Sequence, residues 1–166
     1  MTSGWRIERL GTQDRTTFCS GSDELDRYFR DHVTQDIRRR LSNCFVLLDA
    51  SDGFAGYYTF AATSVPVNEL PADLTQRLPR YPSLPAVLIG RLAIDRRCHR
   101  QGLGSLLIAD AAARAIRAEP AIYALVVDAK HDEAAACYLH LGFQCFFSQP
   151  QRLFIALSEV AGRLSP

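Results

Sequence analysis

The segment RLAIDRRCHRQGLGSLLIADAA, residues 91–112, constrains the fold of this chain more than any other. It runs from an apolar stretch, through a basic loop with two closely spaced glycines, into a sequence with helical periodicity. An ordinary strand-to-helix turn needs one residue of unusual backbone freedom. Here Gly102 and Gly104 bare the backbone where a helix begins, and Arg96, Arg97 and Arg100 surround it with positive charge. The first N–H groups of a helix have no partner inside it and point outward. Strand, glycine loop and helix in that order therefore form a ready site for a pyrophosphate. The bland alternative is a tight turn with solvated arginines, and a glycine pair alone does not decide between them. Two familiar glycine motifs do not fit: GxxxxGK[ST] requires a lysine that is absent, and GxGxxG requires a glycine where Leu107 stands.

The rest of the chain reads as alternating strands and helices. WRIERL alternates and predicts a short first strand. Residues 20–43 predict a helix, with Leu25, Phe29, Val33, Ile37 and Leu41 apolar at every fourth position, acids early and arginines late. Ser20 or Ser22 is its candidate cap. NCFVLLDASDGFAGYYTFAATSV predicts a hairpin around Asp52–Gly53. Residues 66–85 hold five of the eight prolines and predict a loop, with one helical turn over Ala72–Leu78. A loop of that length in a compact domain is a functional candidate. AVLIGRLAI predicts one strand buried on both faces. The glycine-led helix ends at Pro120, AIYALVVDA predicts another buried strand, and DEAAACYLHLG a short helix starting at Asp132 with Gly142 at its end. FQCFFSQ and RLFIAL predict a closing hairpin. The order β-α-β-β-β-α-β-α-β-β is that of a mixed α/β domain.

With 166 residues, the chain is expected to form one domain, 1–166. A charged content of 22% and a net charge of +1 exclude a disordered chain and leave a polyanionic partner open. The basic residues are eighteen arginines and one lysine, Lys130, and they cluster at Arg38–Arg40, at Arg77 with Arg80, and between Arg91 and Arg100. Local clusters permit a phosphate site on a neutral protein. MTSGWRIERL lacks a secretory apolar core, and no run approaches the roughly 18 residues of a membrane span, so a cytoplasmic protein with no membrane association is expected. Five cysteines, Cys19, Cys44, Cys98, Cys137 and Cys145, are an odd number without CxxC spacing and predict reduced thiols. Cys137 and His140 lack a second ligand pair, so no metal site is expected.

RLAIDRRCHRQGLGSLL resembles the acetyl-coenzyme A signature of the GNAT acetyltransferases, (R/Q)xxGx(G/A) at the start of a helix, read here as His99 to Gly104. His99 stands where that family has Arg or Gln. DEAAACYLHLGF resembles the family's other conserved block. The resemblance implies a GNAT fold: a mixed central sheet of six to seven strands flanked by about four helices. It implies acetyl-CoA as co-substrate, held by main-chain groups of Leu92, Ala93 and Ile94 and by Arg97, Arg100, Gln101, Gly102, Leu103, Gly104 and Ser105. It implies a general acid at Tyr138, which on its own would read as a core aromatic. Cys137 is expected in the core and His140 on another face of the helix.

GYYTFAATSV, LPRYPSLPAVLIGRLAIDRR and DEAAACYLHLGF together resemble the toxin branch of the family, the TacT and AtaT type. That implies acetylation of the free amine of aminoacyl-tRNA, a ribbon-helix-helix antitoxin as cognate partner, and a homodimer. An α-amino group with a pKa of about 7.7–8 needs no strong base, but a departing thiolate needs a proton, which a tyrosine can give. Arg91 inside an apolar strand is either ion-paired or directed into a cleft toward tRNA. Arg77 and Arg80, beside Tyr81, either contact tRNA or form ordinary loop surface. Arg38 either contacts tRNA or complements a helix dipole. Two other readings stay open: acetylation of a small amine or protein N-terminus, and a non-catalytic acyl-CoA-binding module.

Overall fold

The computed structural model describes residues 4–164. Residues 1–3 and 165–166, included in the expected domain span, lie outside the described residues. Among the described residues, eight strands occur where six to seven were expected: β1 (Arg6–Arg9), β2 (Asn43–Leu48), β3 (Phe54–Pro66), β4 (Ser83–Ile89), β5 (Leu92–Ile94), β6 (Ala124–Asp128), β7 (Gln144–Cys145) and β8 (Arg152–Ala156). Hydrogen-bonded neighbours run β1-β2-β3-β4-β6-β8-β7, with β5 on β3. The helices are α1 (Asp23–Arg27), α2 (Val33–Arg38), α3 (Ala72–Thr75), α4 (Leu103–Ile116), α5 (Asp132–His140) and α6 (Leu157–Leu164). The chain divides into two compact units, Met1–Ala61 with Gly90–Ala111, and Ala62–Ile89 with Ala112–Pro166.

In the first unit, β1, β2 and β3 pair antiparallel and β5 pairs antiparallel with β3. The β2–β3 turn forms where Asp-Gly was read: Asp52 takes a left-handed φ of 65°, and the Asp49 carboxylate accepts from the amides of Ser51 and Gly53 at 2.8 and 2.9 Å. Ser22 caps α1, its hydroxyl accepting from the Leu25 amide. Between α1 and α2 the backbone makes a π turn over Tyr28–His32. A strict four-residue apolar repeat drifts by about 40° per step on a helix of 3.6 residues per turn. The wider turn takes up part of that drift, and Phe29 and Val33 are both fully buried. The helix stops at Arg38, so Leu41, expected on the buried face, is instead 62% exposed. The core joins Phe18, Phe29, Val33, Val46 and Tyr57, with Phe29 stacked on Tyr57 at 4.3 Å.

In the second unit, β4 and β6 are parallel, and β8 pairs antiparallel with both β6 and β7. Its core holds Val65, Leu84, Val126, Phe146 and Phe154. The proline-rich segment carries the expected helical turn as α3, preceded by a 3-10 turn at Val67–Glu69. The run read as one strand is two: β4 pairs with β6, then after Gly90 and Arg91 the chain pairs with β3 as β5. The C-terminal α6 was not anticipated. Leu157, Val160 and Leu164 follow the spacing of a helix, but the apolar strand before them masks the change of period.

Candidate functional site

The change of partner at Gly90–Arg91 sets up the first half of the site. Thr59 of β3 fixes Arg91 twice: its hydroxyl accepts from the Arg91 amide, and its amide donates to the Arg91 carbonyl, both at 3.0 Å. Two residues on, the Ala93 main chain faces β3 by register, and the Asp95 amide donates to Ala55 at 2.8 Å. Leu92 and Ile94 alternate with these, so their main-chain groups face away from β3. Among the described residues no strand covers that side of β5. Of the three residues expected to pair with a pantetheine arm, Leu92 and Ile94 thus face the edge of β5 away from β3 and Ala93 does not. The Ile94 carbonyl is already engaged: the ring of His99 lies against it, Nε2 to oxygen, at 2.8 Å. This gives His99 a local role and accounts for a residue other than Arg or Gln there.

The loop after β5 is built by Asp95. This residue is only 2% exposed and its carboxylate accepts from the amides of Cys19 and Arg97 and from Arg97 Nε. Burial works against its charge, but these hydrogen bonds win and hold the carboxyl below its ordinary range. Arg97 is correspondingly tied to Asp95 at 2.9 Å, while its side chain stays largely exposed. Arg100 and Gly102 both take left-handed backbone, φ 65° and 73°, and α4 begins at Leu103. Alternating handedness of this kind turns successive amides toward one concavity. The first return bond of the helix is Leu106 N–H to Gly102 carbonyl at 3.2 Å. The amides of Leu103, Gly104 and Ser105 have no acceptor among the described residues. Gly102 is required by its φ. Gly104 is not required by packing, because a Cβ there would come no closer than 4.0 Å to Leu92. Its missing side chain leaves open space against the helix start, which suits a pyrophosphate lying on the amides. Gln101 and Arg100 are exposed at the rim.

Tyr138 lies on α5 in the second unit, half-buried, its ring 5.6 Å from that of Phe143. The helix is capped by the ring of His131, which accepts from the Ala134 amide, with exposed Lys130 just before it. The three fully buried tyrosines all donate their hydroxyls: Tyr28 to Asp36, Tyr57 to the Leu25 carbonyl and Tyr58 to Asp110. The Tyr138 hydroxyl has no such partner among the described residues. Burial, with the nearby Cys137 and Asp128, pushes its pKa up to about 12, so it stays protonated. Cys137, expected in the core, is exposed, as is His140. The nine-residue helix is too exposed on that side to bury it.

The arginines fall in both units. Arg91 is half-buried in the first, with its guanidinium carbon 3.6 Å from the centre of the Tyr28 ring. It has no ion pair among the described residues, an ion pair being the first of the two alternatives the sequence left open. Arg38 is exposed at the end of α2. Arg77 and Arg80 are exposed in the second unit, beside Tyr81, which is 60% exposed. Thr59, Tyr28 and Asp95 were not singled out by sequence. Only Asp95 carries a readable signal, an Asp two residues before the amide it caps. No helix among the described residues is long and apolar enough to cross a membrane.

The chain is similar to known proteins along most of its length. A family model described as an acetyltransferase (GNAT) domain matches residues 80–154. A tRNA-acetylating toxin of Mycobacterium tuberculosis (strain ATCC 25618 / H37Rv) is 35% identical over 149 residues, covering 88% of this chain and 87% of that protein. The structure of AtaT complexed with acetyl-methionyl-tRNAfMet matches with a TM-score of 0.86 at 25% identity, over 97% of this chain and 99% of the other. That of AtaTR bound with AcCoA matches with a TM-score of 0.80 at 25% identity, over 98% and 99%.

Proposed function

Because the chain belongs to the GNAT acetyltransferase family, we propose that it transfers acetyl from acetyl-CoA to the free amine of an aminoacyl-tRNA, and so blocks translation. The substrate rests on one observation: 35% identity, across 88% of the chain, with a tRNA-acetylating toxin. The AtaT structures, one with acetyl-methionyl-tRNAfMet and one with AcCoA, support the same reading.

The chain's own residues supply the chemistry as follows. The amides of Leu103, Gly104 and Ser105 and the charge of Arg97, Arg100 and the Gln101 amide group would hold the pyrophosphate. The outward main chain of Leu92 and Ile94 would align the pantetheine arm, and an amide at this edge would polarise the acetyl carbonyl. The thioester supplies an activated acyl carbon. The substrate amine, with a pKa of about 7.7–8, is already partly neutral and needs only solvent to take its proton. It attacks the carbonyl carbon, the C–N bond forms, and the C–S bond breaks with its electron pair on sulfur. Tyr138 donates its phenolic proton to that sulfur and is reprotonated from solvent. Arg91, Arg77, Arg80 and Arg38 bind the RNA backbone.

In this reading residues 1–166 act as a single acetyltransferase domain, in the cytoplasm, as a homodimer held in check by a ribbon-helix-helix antitoxin. The test is mass spectrometry of tRNA from cells expressing the protein. Nuclease digestion should release N-acetyl-aminoacyl-adenosine. Unmodified aminoacyl-tRNA, with acetyl label found instead on a small amine or a protein N-terminus, refutes the assignment.

A further inference from the structure

Arg91 stands at the two-residue break between β4 and β5, half-buried, with its main chain fixed by Thr59. Its guanidinium lies over the Tyr28 ring at 3.6 Å rather than against a carboxylate. None of its five side-chain N–H donors has an acceptor among the described residues. Its nitrogens are not among the buried atoms left without a partner, so water reaches them, and a ligand phosphate can take the place of that water. Stacking covers one face of the guanidinium and leaves its N–H edge free, the edge that receives two phosphate oxygens side by side.

Tyr28 is itself braced. It is 6% exposed, and its hydroxyl donates to Asp36 at 2.6 Å. Burial first, then this bond, raises its pKa well above the ordinary phenol value, so it remains a neutral donor. Donation to a carboxylate enriches the ring in electrons and strengthens its attraction for a cation. Tyr28 also opens the π turn between α1 and α2, a distortion frequent at functional sites.

We propose that Tyr28, braced by Asp36, is a positioning residue that holds the Arg91 guanidinium edge-outward to receive a substrate phosphate. The kinetic part of this rests on the aminoacyl-tRNA reading. Both aminoacyl-tRNA and acetyl-CoA carry phosphate, and the experiment separates them.

The first arm is NMR of the wild-type protein with labelled arginine. A ring this close should shift the Arg91 side-chain resonances away from those of the other arginines, and inorganic phosphate should move them further. This arm needs neither a variant nor tRNA, so it stands if the tRNA reading fails. The second arm is steady-state kinetics with an aminoacyl-tRNA that the wild type acetylates. Tyr28→Leu should raise one KM about 3- to 30-fold, the range of a cation–π contact, with kcat little changed. Arg91→Gln should do at least as much, and the double variant no more than Arg91→Gln alone. Tyr28→Phe, which keeps the ring, should stay within about threefold of wild type. A rise in the tRNA KM with a flatter salt dependence places the phosphate on RNA, and a rise in the acetyl-CoA KM places it on the coenzyme. Additive effects, no change in either KM, or Tyr28→Phe as damaging as Tyr28→Leu would overturn the proposal. So would Arg91 resonances at free-arginine positions, which decides the matter if Tyr28→Leu does not fold.

Discussion

Replacing Tyr138 by Phe separates its chemical role from its packing, because the hydroxyl it removes has no partner among the described residues. The ring stays against Phe143. With no hydrogen bond broken and no buried acceptor orphaned, the stability change should be under about 0.5 kcal/mol. Tyr57→Phe is the opposite case. Its hydroxyl donates to the Leu25 carbonyl at 2.7 Å, and losing it breaks that bond, although the carbonyl keeps the Tyr28 amide as a donor. That costs about 0.5–1.5 kcal/mol, or about 1–6 °C of Tm for a chain of this size. Activity should sort the two the other way. Loss of a general acid is worth about 10²–10⁴-fold, so Tyr138→Phe should raise the barrier by about 2.7–5.4 kcal/mol, with the KM for acetyl-CoA nearly constant. Tyr57→Phe, once folded, should turn over normally. The assay is single-turnover acetylation of one aminoacyl-tRNA, paired with thermal melts. The pH profile adds an independent check. The acting form of Tyr138 is protonated, and with a pKa pushed up to about 12 it remains so through pH 10. The rate should rise as the substrate amine loses its proton near pH 8 and show no alkaline decline below about pH 11. The same shift stabilises the fold below pH 10, the ordinary tyrosine value, and that contribution fades as pH climbs through about 12. Equal single-turnover rates for wild type and Tyr138→Phe would refute the assignment and leave His140 or a bound water as the donor.

Other expectations concern the loop and the charges. Gly104→Asp should fold, since a Cβ there meets nothing nearer than 4.0 Å, yet abolish acetyl-CoA binding in calorimetry; Gly102→Ala should instead lose roughly 1–2 kcal/mol of stability because its φ is left-handed. Asp95→Ala removes the acceptor of the Cys19 and Arg97 amides in a part-buried setting and should cost about 1–3 kcal/mol in denaturant melts. Because the Asp95 pKa is depressed, its contribution should be full above the ordinary value of 3.8 and be lost as pH falls below it. Replacing Arg77 and Arg80 should raise the KM for tRNA and flatten its salt dependence without moving that for acetyl-CoA.

The parts of this molecule readable from sequence are those whose signal is local. The glycine pair, the Asp-Gly hairpin and the helix opening at Ser22 each depend on a backbone conformation that few residues supply. The break in AVLIGRLAI was announced by a glycine and a charged residue in an apolar run, but its meaning, a change of partner strand, depends on β3, whose pairing no local signal carries. The π turn was foreshadowed by apolar residues at a spacing of four rather than 3.6. Thr59 gave no sign, because a threonine in a strand looks the same whether or not its hydroxyl pins a distant residue. Tyr138 was visible only through resemblance; by spacing alone it is one more aromatic on a short helix. Its unpartnered hydroxyl is a fact of three dimensions. Cys137 and Leu41 were misplaced because apolar character predicts burial only where a neighbouring element arrives to cover it.

The near-absence of lysine has a consequence for the protein's own integrity. A GNAT enzyme keeps an activated acyl group within reach of its surface amines. The exposed side chains around the glycine loop, at Arg96, Arg97 and Arg100, are guanidinium groups, whose delocalised nitrogens offer no lone pair to a thioester. Lys130, in the turn before α5, is the one side-chain amine in the chain. A surface that draws its positive charge almost wholly from arginine can attract polyanions without becoming a target of its own chemistry.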